Sequence, residues 1–169
     1  MDLIFQKGTS EDAELLIRFL AEVKAGMLQQ DWFYLDPPDV VKEMMNNGTM
    51  ELWLAKDQER LAAVLDILHP GLEKYNYGYD LGLCEVELCQ VIHMDTVAVH
   101  SAYRGIGLQG RMVQLAEREL SGKGRRILLC TVHPDNRFSL TNMLRQGYEI
   151  QKRVNKYGSE RYILRKEIF

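Results

Sequence analysis

Apolar positions along this chain switch between a period of two and a period near 3.6, and the switches mark out its elements. Leu3 to Lys7 reads as a short strand. Thr9-Ser10-Glu11-Asp12 then offers a capping hydroxyl and first-turn carboxylates, and Leu16, Phe19, Leu20 and Val23 form one apolar stripe on a helix running to about Gly26. Asp36-Pro37-Pro38-Asp39 opens a second helix that Gly48 ends. Glu51 to Lys56 and Leu61 to Leu68 read as strands joined by the turn Asp57-Gln58-Glu59. From Pro70 to Gln90 the periodicity lapses among Gly71, Gly78, Gly82, Tyr75, Tyr77 and Tyr79, which predicts a long loop. Val91 to Val99 is the next strand, and a helix from Gly105 or Ile106 to Leu120 turns Met112, Leu115, Ala116 and Leu120 inward. Ile127 to Val132 is a continuous apolar run, as expected of a strand covered on both faces. Pro134 and Asp135 open a last helix to Gln146, Gly147 closes it, and strands at about Tyr148 to Val154 and Arg161 to Lys166 finish the chain. The order β-α-α-β-β-β-α-β-α-β-β predicts a mixed α/β fold, one central mixed sheet of about seven strands with helices on both faces.

The chemistry concentrates between Val97 and Arg111, where a strand ends, a glycine-rich turn follows and an amphipathic helix begins. Glycines allow positive φ and close backbone approach, so successive N–H groups can point into one concavity, and the helix N-terminus adds partial positive charge. That is the form of a pyrophosphate site. No Gly-Lys-Ser/Thr follows for a P-loop. Gly105, Gly107 and Gly110 match Gly-x-Gly-x-x-Gly, but no acidic ribose ligand is well placed in a following strand for a dinucleotide fold. The plain alternative is a tight strand-to-helix turn that binds nothing.

Arg104-Gly105-Ile106-Gly107-Leu108-Gln109, directly after a strand, resembles the Gln/Arg-x-x-Gly-x-Gly/Ala signature of the GNAT superfamily of acyl-CoA-dependent N-acetyltransferases, with Gln109 standing where the last Gly or Ala is usual. The stretch Asn136 to Tyr148 resembles the family pattern Asn-x-x-Ala-x-x-Leu-Tyr-x-x-x-Gly-Phe, with Asn136, Ser139, Gly147 and Tyr148 in register. The resemblance covers essentially the whole chain and implies a single GNAT-like domain over residues 1–169 with acetyl-CoA as cosubstrate. It implies that the backbone of Val97, Ala98 and Val99 hydrogen-bonds the pantetheine arm. It further implies that the amides of Gly105, Ile106, Gly107, Leu108, Gln109 and Gly110 bind the pyrophosphate beside Arg104, and that the Asn136 side chain bonds the pantetheine unless it only caps its helix. One departure stands out: Met143 occupies the place of a tyrosine that protonates the departing thiolate in many members.

The implied reaction moves an acetyl group to a primary amine of a small molecule or peptide by direct attack in a ternary complex. It needs a base for the amine, a donor for the oxyanion and a proton for the thiolate. His93 and Asp95 are the candidate bases. They lie two apart on one predicted strand, share a face with each other and with Val97 and Val99, and fall where the resemblance places a base in some members. The alternative is that they only bond each other or the backbone. Trp32, Phe33 and Tyr34, within Met27 to Leu35, and the tyrosines from Tyr75 to Tyr79 are candidates for the acceptor wall or for plain core cover, and Glu85 and Glu87 for negative charge. The second reading of the whole chain is a non-catalytic acyl-CoA-binding sensor or scaffold.

Composition narrows this picture further. A chain of 169 residues that is 46% hydrophobic supports one core, and a net charge of −3 argues against nucleic acid or an anionic membrane as partner, leaving a homodimer open. No apolar run reaches the roughly 18 to 20 residues of a membrane span, and the first residues turn polar too soon for a secretory signal, so the cytoplasm is the expected location. Cys84, Cys89 and Cys130 are too few and too irregular for a disulfide framework or a zinc site; semi-buried thiols and no metal are expected. Lys123, Arg125 and Arg126 read as a solvated loop, or else as help for a cofactor phosphate.

Overall fold

The computed structural model describes residues 2–169. Seven strands, β1 Leu3–Lys7, β2 Met50–Asp57, β3 Arg60–Leu68, β4 Val91–Val99, β5 Arg126–Val132, β6 Glu149–Lys156 and β7 Ser159–Ile168, form one sheet in the order β1-β2-β3-β4-β5-β7-β6. Every neighbouring pair is antiparallel except β4 and β5, which run parallel. The long apolar runs of β3 and β5 take central places, covered on both faces. The polar β6 forms an exposed edge, where Lys152 and Arg153 help to discourage pairing with another chain.

Five helices connect the strands: α1 Ala13–Ala25, α2 Pro38–Asn46, the one-turn α3 Glu85–Leu88, α4 Leu108–Leu120 and α5 Arg137–Arg145. Leu16, Phe19, Leu20 and Val23 of α1 and Val41 and Met45 of α2 pack with Leu52, Leu54, Val64 and Ala98 on one face of the sheet. On the other, Leu108, Met112, Val113 and Ala116 of α4 and Met143 of α5 pack with Leu65, Ile67, Ile92, Met94 and Leu128. The predicted fold and element order stand, and the differences are local. The segment from Pro70 to Gln90 is more ordered than a loop, holding α3 and a 3-10 turn at Tyr79–Leu81. Buried Asn76 organises it, donating to the carbonyls of Gly71 (2.7 Å) and Leu88 (3.2 Å) and accepting from the Gly78 N–H (2.8 Å). Helix α4 starts at Leu108, later than the pattern suggests, because Gly105 and Gly107 are left-handed, with φ of 80° and 72°.

Two irregularities in β4 shape the functional end of the sheet. Asp66 of β3 pairs with Thr96 while Ile67 pairs with Met94, so Asp95 is the extra residue of a β-bulge. The bulge overturns the expected parity. His93 and Asp95 share the α1–α2 side, but Val97 and Val99 pack toward the α4-side core, with Ala98 on the opposite face. The second irregularity is a splay: β4 pairs with β5 only at Val91, Ile92 and His93, after which the two parallel strands part.

Candidate functional site

The splay opens beside the N-terminus of α4. His100 donates its N–H to the Ala62 carbonyl (2.9 Å), so by alternation Ala98 also faces β3, and the main-chain groups of Val97 and Val99 face the gap. Beyond β4 the chain makes a 3-10 turn at Ser101–Tyr103, anchored where the buried Tyr103 hydroxyl donates to Asp57 Oδ2 (3.1 Å). Gly105 and Gly107 follow in left-handed conformations, and a Cβ at either would meet nothing within 4 Å, so the backbone there is open to an approaching ligand. Arg111 makes the first α-helical bond back to the Gly107 carbonyl, which leaves the N–H groups of Leu108, Gln109 and Gly110 without intrahelical partners. Arg104 and Ile106 extend into solvent, and the Leu108 side chain drops into the core. These groups fit a pyrophosphate.

Gly110 has a second part besides the one the motif implies. It is buried against α5, where a Cβ would lie 2.7 Å from Gln146 Nε2 and 3.3 Å from Asn142 Oδ1, so its missing side chain serves the close crossing of α4 and α5. Gln109 turns aside toward the Ser139 hydroxyl (3.4 Å). Asn136 caps α5, its Oδ1 accepting the Ser139 N–H (3.2 Å), and this leaves its amide NH2 for a ligand. Lys123, Arg125 and Arg126 follow the C-terminus of α4, about 20 Å along the helix from the glycines at 1.5 Å per residue, so they do not serve this cradle. Arg125 is engaged there by Glu167 (2.9 Å).

On the α1–α2 side of the sheet the gap meets a small solvent-open cleft, lined by Trp32, Phe33, Tyr34, Asp36, Tyr77, Asp95, Thr96, Thr131, Tyr157 and Arg161. Thr96 and Thr131 come from the two parted strands, so cleft and gap are continuous. Asp95 keeps some exposure to the cleft, yet the protein around it depletes water enough to push its carboxyl up to about 7, with the charge of Asp36 adding to the effect. Behind it lies Asp66, 2% exposed, close enough to share a proton with Asp95 and pushed well up, first by burial and then by the Asp95 charge. The bulge creates this juxtaposition, and the Thr96 N–H donates to Asp66 Oδ1 (3.1 Å). Tyr77 lines the cleft with Asp95 and lies 2.5 Å, hydroxyl to hydroxyl, from Tyr157, whose own hydroxyl burial pushes up to about 12. Tyr34 stacks on Tyr157 with centroids 4.3 Å apart.

His93 is placed differently. It is 1% exposed, outside the cleft lining, with its ring stacked on Tyr77 at 3.9 Å and Nε2 accepting the Tyr77 N–H (3.1 Å). Burial, with Lys156 nearby, lowers its pKa to about 3, so at neutral pH it is uncharged and its lone pair is already engaged. Met143 is sealed in the α4-side core. Of the predicted aromatics Trp32, Phe33, Tyr34 and Tyr77 reach the cleft; Tyr75 is edge-on to His93, and Tyr79 bonds the Leu72 carbonyl (2.9 Å). Glu87 caps α3 through the Cys84 N–H (3.2 Å). Cys84 and Cys89 are exposed rather than semi-buried, and Cys130 is buried. The pattern left Asp36, Thr131, Tyr157 and Arg161 unassigned to any site. Arg161 did carry a signal, since it is two residues from buried Ile163 on a strand and so faces inward.

Among the described residues no helix is long and apolar enough to cross a membrane, and no group of three or more acidic, histidine or cysteine residues could hold a metal ion. Residues 25–148 match the model of the acetyltransferase (GNAT) family. Among solved structures, Arabidopsis thaliana NAA60 in complex with acetyl-CoA superposes with a TM-score of 0.77 at 14% identity, covering 99% of each chain. The acetyltransferase of the GNAT family from Streptococcus pneumoniae gives 0.71 at 18% identity over 99% of this chain and 100% of that one. Salmonella typhimurium yncA, with its cofactor acetyl-CoA, gives 0.70 at 9% identity over 100% and 95%. At these identities the likeness is one of fold. No curated protein sequence matches the chain closely enough to count as a relative.

Proposed function

The chain belongs to the acetyltransferase (GNAT) family, and on that premise we propose that it transfers the acetyl group of acetyl-CoA directly to a primary amine bound in the acidic cleft. The observation that carries this reading is the parting of β4 from β5 between an open glycine cradle on one side and a carboxylate-lined cleft on the other. The cofactor's thioester and an amine can meet only through such a gap.

In this scheme the N–H groups of Leu108, Gln109 and Gly110 and the turn at Gly105 to Gly107 hold the pyrophosphate. The main-chain groups of Val97 and Val99 and the Asn136 amide take the pantetheine. A Val97 or Val99 N–H, directed at the gap, meets the developing oxyanion without reorganising. Asp95 is the base. Its raised pKa leaves it substantially ionised near neutrality and a stronger base than an ordinary carboxylate, able to accept the proton the amine sheds as it attacks. The Tyr77 and Tyr157 hydroxyls touch each other in the same cleft, and the proton returning to the thiolate is assigned to them, since Met143 cannot donate one.

The test is thiol release from acetyl-CoA across amines, amino acids, polyamines and peptides. Asp95→Asn is expected to lower kcat by roughly a hundredfold or more while acetyl-CoA binding is kept. An unaltered kcat would remove Asp95 from the chemistry. Acetyl-CoA binding with no turnover on any amine would instead favour the sensor reading.

A further inference from the structure

Resting on that reading of the cleft, we infer that the acceptor is a small zwitterion, an α-amino acid with an apolar side chain, whose ammonium meets Asp95 and Asp36 and whose carboxylate meets Arg161. Among the described residues neither Asp36 nor Asp95 has a cation within ion-pair distance, and Arg161 has no carboxylate, although all three line one cleft. Charges of opposite sign kept apart in one enclosure fit a ligand that carries both and bridges them.

Arg161 is the unusual member. It is 2% exposed and donates only to main-chain oxygens, those of Asp31 (2.6 Å) and Trp32 (3.2 Å), so two of the guanidinium's five N–H bonds are accounted for. The Asp31 carboxylate acts on its charge without forming an ion pair; a buried guanidinium left unpaired is costly, and its planar fork matches a carboxylate. Holding the two carbonyls also pins the segment that carries Trp32, Phe33 and Tyr34, so the residue that would bind the carboxylate positions the apolar wall beside it. A free amino acid suits this layout better than a peptide N-terminus, whose carboxylate has become an amide.

The experiment compares matched pairs, leucine with leucinamide and phenylalanine with phenylalaninamide, by thiol release from acetyl-CoA on the wild-type protein. The amide's amine is the less basic and offers more free base at neutral pH, so chemistry alone would favour the amide. We expect the reverse, with kcat/KM at least tenfold higher for the free acid. Arg161→Met should raise the acid's KM at least tenfold and bring the ratio near one, with Arg161→Lys between the two. Amides equal to or better than acids on the wild type would overturn the inference and leave the acetyltransferase reading standing. If no amine releases thiol, that reading fails, and the same pairs read by thermal shift with acetyl-CoA present still decide: stabilisation by the acid alone supports the zwitterion site, and equal or absent stabilisation sinks it.

Discussion

Burial drives the two ionisable side chains of β4 in opposite directions, because it penalises whichever form is charged: the Asp95 carboxyl rises to about 7 and the His93 imidazole falls to about 3. Each shift has a signed consequence for stability. An unfolded carboxyl titrates near 3.9, so the stabilisation from protonating the Asp66–Asp95 pair is full below about pH 4 and is lost as pH rises through about 7. His93 works the other way: its unfolded pKa is near 6.5, so it lowers stability progressively as pH falls from there toward 3. Because the two oppose each other, a difference curve is the clean readout. The Tm of Asp66→Asn minus that of wild type should grow between pH 4 and 7 and level off above, and a flat difference would mean that the two carboxyls do not share a proton. For His93, glutamine can still accept the Tyr77 N–H, so His93→Gln should keep kcat within a few-fold, whereas His93→Leu leaves that donor orphaned and should lower stability by about 1–3 kcal/mol. A hundredfold loss of kcat in a folded His93→Gln would return the base to His93.

Between β4 and α4 the design depends on backbone more than on side chains. Acetyl-CoA should raise the Tm by mass action, about 2.7 kcal/mol at a hundredfold excess over its Kd, seen as roughly 2–4 °C per kcal/mol for a chain of this size. Gly107→Trp blocks the open approach to the backbone and forces a side chain into the left-handed region, so it should abolish that shift; a retained shift would place the ligand elsewhere. Gly110→Leu is the contrasting variant. Its side chain would collide with Gln146 and Asn142 on α5, so it should lower the Tm of the protein without ligand by parting the two helices, whereas a pyrophosphate ligand role alone would leave that Tm unchanged.

On the proposed reading cradle and cleft lie on either side of one gap, so both substrates would be held at once and no acyl-enzyme would form. Steady-state kinetics should therefore give intersecting rather than parallel double-reciprocal lines. None of the cysteines lines the cleft, and burial pushes the Cys130 thiol well up, which suppresses its thiolate. Cys84→Ser with Cys89→Ser should leave kcat unchanged within error, and a trapped acetyl-cysteine would contradict direct transfer. Tyr157 tests the hydroxyl pair: Tyr157→Phe keeps the stack on Tyr34 and removes only the hydroxyl, so a fall in kcat with little change in KM is expected.

Local rules were enough for much of this protein. Period-two and period-3.6 patterns, caps and glycines set the strand and helix order, and the turn at Gly105 to Gly107 announced its left-handed backbone, because each depends on residues within one or two turns of chain. The motif likewise fell on the strand-to-helix turn that leaves the first N–H groups of α4 without intrahelical partners. What it could not settle was any property that depends on a partner strand. The bulge at Asp95 is a mismatch of register between β3 and β4, and it reversed the face assigned to Val97 and Val99. The fate of His93 turned on Tyr77, sixteen residues away, and Arg161 reaches its carbonyl partners across some 130 residues. The opposite pKa shifts of His93 and Asp95 come from desolvation, and desolvation is a sum over everything packed nearby, which only the folded chain brings together.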